Sequence, residues 1–269
     1  MIRIFLLMVV VALPLVAYPQ QVKDRSITSD DFNKTRPKSK KSNRRPQKPR
    51  RYQLASPPLA KPLDVDSPST LKVGVTLWKI EPIKKIATRV EAGTQFHEGD
   101  LLRLSIESPR TGYLYVIDRD WFTDNSPGAE TNLIFPQSGE DNRLEAGRLI
   151  DIPADNRAPF KASPKANQAG EMLTIIVTSA PLSLQLANDF LPVSSTQLAE
   201  WERKWSGMTE RFEMNGGVGQ TRTIEEQEAA LPTGTRQLTR NDPPPQTIYF
   251  LVPRSSDGLL FNLLLSYVR

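Results

Sequence analysis

Residues 71–269 are predicted to form a mainly β domain, an antiparallel β-sandwich or open barrel with a two-helix excursion near residues 195–231, behind a disordered N-terminal tether. Three observations predict this. Short apolar runs of period two, separated by turn residues, fill most of the chain after Leu71. Apolar residues at helical spacing are confined to the stretch from Ser194 to Leu231. The chain before Leu71 is basic and proline-rich, with little to bury.

The chain opens "MIRIFLLMVVVALPLVAYPQQ", with Arg3 ahead of an apolar run from Ile4 to Ala17. That run is shorter than the roughly 20 residues that cross a bilayer, so residues 1–17 read as a secretory signal peptide. Bulky Leu15, three residues before the expected cut, keeps an uncleaved anchor as the alternative. The chain has no cysteine, which excludes a disulfide framework, a thiolate nucleophile and a cysteine-ligated metal. Export without cysteine fits the bacterial periplasm or cell envelope.

Residues 18–70 read as a disordered basic and proline-rich linker. Tyr18 to Pro62 carries 13 Lys+Arg against 3 Asp+Glu, a net of +10, so the total of +5 leaves the chain after Pro62 acidic. Within it, "KTRPKSKKSNRRPQKPRR" has ten basic residues and no acid. Burial cannot offset the ordering entropy of such a run. Behind an export signal its expected partner is an anionic surface, not nucleic acid, with a solubilising spacer as the alternative.

In the folded part, "LKVGVTLWKI" alternates, and "LLRLSIES" puts Leu102, Leu104 and Ile106 on one face and Arg103, Ser105 and Glu107 on the other, a half-buried strand. "SPRTG" reads as a turn, with "GYLYVIDRD" as the return strand of an antiparallel pair. "TNLIFP", "RLIDIP", "EMLTIIVTSA", "QTIYFLVP" and "LLFNLLLSYV" complete seven or eight strands. "SSTQLAEWERKWSGMTERF" predicts a helix with Leu198, Trp201, Trp205, Met208 and Phe212 on one stripe, capped by Ser194 and Gln197. Thr223 and Glu226 repeat that cap pattern before "QEAAL", and Pro232 stops the second helix. The tryptophan stripe is expected to pack on its own sheet, the alternative being a docked partner.

The usual catalytic signatures fail. His97 is the lone histidine, in the turn-like "QFHEGD", with no G-x-S-x-G anywhere to pair with it. "STLK", Ser69 to Lys72, matches S-x-x-K without a helix start or a following K-T-G. "NGGVGQ" lacks the lysine and hydroxyl residue of a phosphate cradle and reads as a loop between two helices. Asp118, Asp120 and Asp124, followed by Asn125, could supply oxygens to calcium, but their spacing misses the known loop pattern. Asp118 and Asp120 share a side if alternation continues, so acid–base work needs a distant carboxylate such as Glu171. The default is a solvated strand end with Arg119. No catalytic, cofactor or metal residue is assigned.

"FHEGDLLRLSIESPRTGYLYVIDRD", "TNLIFPQSGEDNRLEAGRLIDIP" and "GEMLTIIVTSAP" together resemble the bacterial family catalogued as domain of unknown function 4384. The shared positions are Gly99 and Asp100, Gly112 through Tyr115, Phe135 and Pro136, Asn142, Leu144 and Gly147, and Glu171 and Leu173, so the resemblance covers about residues 92–181. It implies a compact β-rich accessory domain with no assigned activity, found in exported proteins or beside caspase-like peptidase or kinase-type domains. Read physically, these positions are architectural: Gly99 and Gly112 supply turn conformations and Pro136 ends a strand. Tyr113 and Tyr115 stand on one face and could instead offer a wet aromatic surface to a peptide or glycan.

The expectation is therefore a non-enzymatic binding or scaffold module of the cell envelope, with a protein or glycan partner and a tether for anionic surfaces. The alternatives are a cell-wall polymer hydrolase using paired carboxylates and an accessory subunit of a caspase-like peptidase or kinase system.

Overall fold

The computed structural model describes residues 25–38, 71–124, 130–154, 156–186, 190–214, 217–230, 233–255 and 257–268. The signal segment, residues 18–24 and 39–70 of the linker (Ser69 among them), Asn125, Asn215, Gly216 and Pro232 lie outside the described residues. The strands are β1 (Leu71–Ile80), β2 (Ala87–Val90), β3 (Gln95–Phe96), β4 (Leu101–Glu107), β5 (Gly112–Phe122), β6 (Thr131–Phe135), β7 (Arg143–Leu144), β8 (Arg148–Ile152), β9 (Phe160–Lys161), β10 (Gln168–Thr178), β11 (Leu191–Pro192), β12 (Gly207–Glu213), β13 (Thr235–Gln237), β14 (Thr247–Pro253) and β15 (Gly258–Tyr267). Among the described residues three helices, α1 (Arg25–Thr35), α2 (Ser195–Trp205) and α3 (Ile224–Ala230), accompany them.

The fold is mainly β, as predicted, and is built as two sheets. In the first, β12-β14-β1-β4-β8-β13 lie side by side, with β2 on β1 and β9 on β4. In the second the order is β11-β6-β5-β10-β15-β3, with β7 on β5. The pairings are antiparallel except for β15 with β3. Between the sheets Val75, Leu104 and Ile106 meet Val116, Ile175 and Leu263, all buried in one continuous core. Each such side chain contributes about 1.5–3 kcal/mol by leaving water.

The strand pairing corrects one expectation. β4 pairs with β1 and β8 in the first sheet, whereas β5 pairs with β10 and β6 in the second. "SPRTG" is thus an arch between sheets and not a hairpin turn. A turn signal fixes a reversal, but only the partners found later in the chain fix which sheet receives the returning strand. At Gly112 the need is also different from that expected: a Cβ would come within 2.9 Å of the Thr178 carbonyl oxygen. Gly99 does hold a left-handed turn, at φ +87.

The outer face of the first sheet is a second departure. Arg103, Ser105 and Glu107 are buried, so β4 is covered on both sides. Part of the cover comes from residues 25–38, which fall inside the stretch read as disordered linker. Phe32 is buried there, and Arg36, within the ten-charge run, has about 1% of its surface exposed. Its Nη2 donates to Glu107 Oε1 and Oε2 at 2.7 and 2.8 Å, and its Nη1 donates to the Asp242 carbonyl at 2.8 Å. Composition averages over the run and misses this one arginine, whose charge meets a buried carboxylate.

The helices follow the sequence in part. Ser194 Oγ accepts from the Gln197 backbone N–H at 3.1 Å, and Thr223 and Glu226 cap α3 reciprocally at 3.1 and 2.9 Å. Leu198 and Trp205 pack on Tyr115, Ile117, Ile176 and Leu260 of the second sheet, so the tryptophan stripe does cover its own sheet. The helix stops at Trp205, however, and Gly207–Glu213 forms β12 on the edge of the first sheet. Met208 and Phe212 are therefore off the stripe, with Met208 77% exposed. Ser206 and Gly207 interrupt the helical run, and β14 then offers a ladder to pair with. The described part of "NGGVGQ", Gly217 to Gln220, accordingly lies between a strand and a helix.

Candidate functional site

The inner face of the second sheet is apolar along β5 as far as Val116, then carries Asp118 and Asp120. The alternation continues through this end of the strand, so both carboxylates face the first sheet. Solvation at a free strand end, the default for this stretch, is overturned. On β10 Glu171 stands opposite Asp120 and Leu173 opposite Asp118, which brings Asp118 and Glu171 into diagonal register on one face. β15 adds Leu265 opposite Glu171, and Tyr267 beyond it on the same face.

A cavity of about 460 Å³ opens between the sheets here. Its walls include Leu77, Leu102, Leu104, Ile134, Leu173 and Leu265, with Asp118 and Glu171 set among them. Gln137, Glu140, Arg157 and Lys161 come from the surrounding loops and β9, along with Phe190, which is about half exposed. Arg157 is engaged with Glu140 at 3.5 Å and with Gln137.

The acids differ in how they are held. Asp120 accepts from Lys165 Nζ at 2.7 Å and from Gln168 Nε2 at 2.9 Å. That contact pushes the Lys165 ammonium up. Glu171 Oε1 accepts from the Tyr267 hydroxyl. Burial raises the Glu171 carboxyl, with the Asp120 charge adding to it against the Tyr267 hydrogen bond. Burial also raises the Tyr267 hydroxyl, and the Glu171 charge adds to that. Asp118 is the extreme case. Its Oδ1 is out of contact with solvent and has no hydrogen-bond partner among the described residues. Burial, then the charges of Glu171 and Asp120, push its carboxyl up to about 7.

The other candidates end elsewhere. His97 is exposed in its turn, Nδ1 3.9 Å from Asp100. Lys72 of the S-x-x-K match lies on β1 against Asp31 of α1, and burial followed by the Arg110 charge pulls it down to about 8. Tyr115 does not present a wet aromatic face: it is buried beneath the segment after β10, where its hydroxyl accepts from the Leu182 N–H at 2.7 Å. Asp124 does not join Asp118 and Asp120, and no group of three or more metal-ligating side chains occurs among the described residues.

Sequence reasoning placed Asp118, Asp120 and Glu171 and missed Tyr267, Lys165 and Gln168. The signal for Tyr267 was present, since it continues the alternation of Leu263 and Leu265 in "LLLSY". Comparison with family models, with curated proteins and with solved structures finds no match. No helix among the described residues is long and apolar enough to cross a membrane.

Proposed function

We propose that this protein is an exported, non-enzymatic binding module of the bacterial cell envelope whose binding site is the cavity between the two sheets. The cavity carries the proposal: apolar walls that can hold a ligand's body, and a small set of converging polar groups that can orient it. The signal-like segment and the basic linker support the location, and the resemblance to domain of unknown function 4384 supports an accessory role, including service to a peptidase or kinase system.

The hydrolase reading has one observation in its favour, the meeting of Asp118 and Glu171 in a single cavity with both carboxyls raised. Against it, the two stand on adjacent strands of the same wall. General acid–base cleavage of a glycosidic bond needs carboxyls on either side of that bond. No serine, threonine or histidine is among the described residues that line the cavity. Incubation of the full chain with purified cell-wall polymer should release no soluble product. Release that disappears in both Asp118→Asn and Glu171→Gln would establish the hydrolase instead.

A further inference from the structure

We propose that the cavity takes a primary ammonium ion on an aliphatic body, with the ammonium between Asp118 and Glu171 and the body along Leu77, Leu102, Ile134 and Leu265. This rests on the binding reading above and names the ligand class for that same site.

The charge pattern selects the class. Three carboxylates, Asp118, Asp120 and Glu171, share one end of the β5–β10 pair. Lys165 offsets one of them, at Asp120. The nearby Arg157 is held at the rim by Glu140 and Gln137, and Lys161 is the exposed residue of β9. Asp118 and Glu171 both line the cavity, and Glu171 has its Tyr267 contact on one oxygen only. An anion would add repulsion, and a neutral hydroxyl would satisfy an acceptor while leaving the like charges in place. An ammonium supplies charge and three donors from a single atom, so it can serve both carboxylates at once. The apolar walls and the volume of about 460 Å³ suit an aliphatic stem.

Ionised Asp118 is the form that binds. The groups facing it are Asp120 and Glu171 on the sheet, Tyr267 on β15 and Lys165 before β10, with Glu140, Arg157 and Lys161 around the opening. With its carboxyl at about 7, affinity for a permanent cation should rise about tenfold between pH 6 and pH 8.

Calorimetric titration of the full chain with hexylammonium, hexanol and hexanoate tests this. Hexylammonium should bind at least tenfold more tightly than either other probe. Asp118→Asn should remove that advantage while hexanol still binds, and Glu171→Gln should reduce it. Retained hexanol binding also reports that the variant's cavity is folded. Hexanol binding as tightly as hexylammonium, or undiminished preference in a folded Asp118→Asn protein, would overturn the cation assignment and leave the binding cavity standing. Absence of binding by all three probes would overturn both.

Discussion

The outer face of the first sheet and the inner face of the second both bury charge, and they resolve it in opposite ways. On the outer face, Trp78 Nε1 donates to Ser105 Oγ at 2.7 Å, Ser105 Oγ donates to Asp151, and Arg222 Nη2 donates to Asp151 Oδ2 at 2.7 Å. The Arg89 and Arg222 guanidiniums lie 5.2 and 5.9 Å from the Trp78 ring centre. Arg36 covers Glu107, whose complete burial pushes its carboxyl up while the guanidinium opposes that rise. Acid meets base at Arg222–Asp151 and at Arg36–Glu107 in this layer. On the inner face, acid faces acid beside a cavity, and one carboxylate oxygen has no donor among the described residues. Compensated charge of the first kind fixes where covering segments sit. Uncompensated charge of the second kind costs stability, which makes it the place to look for a ligand.

The largest test of this contrast is Arg222→Ala. It strands Asp151, whose side chain is wholly buried, and should cost about 3–5 kcal/mol in urea unfolding. The double change Arg222→Met with Asp151→Leu should recover much of that loss, because no buried charge then remains. A cost below about 1 kcal/mol for the single variant would remove the distinction between the two faces.

Arg36→Ala should cost about 3 kcal/mol by leaving Glu107 buried without its cation. The loss should shrink in acid, where Glu107 takes up a proton and no longer needs the cation. If stability is unchanged, residues 25–38 are not part of the fold.

Asp118→Asn should act in the opposite direction. A carboxyl whose folded value is about 7, against 3.8 ordinarily, binds a proton more tightly in the folded protein. Its effect on stability is absent well below pH 3.8, becomes increasingly unfavourable as the pH rises toward 7, and levels off above that. Removing the acid should therefore raise stability by up to about 4 kcal/mol at pH 8 and leave it nearly unchanged at pH 3, read from thermal unfolding at both pH values. A loss at pH 8 would mean that Asp118 is a structural group like Asp151.

The smallest effect is expected at the exposed Arg143–Glu145 pair, 3.1 Å apart, where Glu145→Gln should change stability by less than about 0.5 kcal/mol. It calibrates how little an ion pair contributes when water already surrounds it.

How far the sequence carries the contrast depends on the range of the interactions. Alternation in "LLRLSIE" and "GYLYVIDRD" correctly sorts Leu104 from Ser105 and puts Asp118 with Asp120, because the two-residue period is local. It does not say that Ser105 lies under a cover, which depends on Arg36 and Arg222, 69 and 117 residues away in the chain. Nor does it say that β5 leaves β4 for another sheet, since that follows from pairing with β10. The candidate site was legible as three named acids and illegible as a cavity. The walls come from strands of both sheets, and the rim comes from loops without a periodic signal.

The most direct test of the central claim is a carboxyl-carbon NMR titration of Asp118 in the full chain, with and without hexylammonium. Asp118 should titrate near pH 7 in the free protein and markedly lower with the amine bound. Titration near the ordinary aspartate value of about 4, unmoved by the amine, would contradict it.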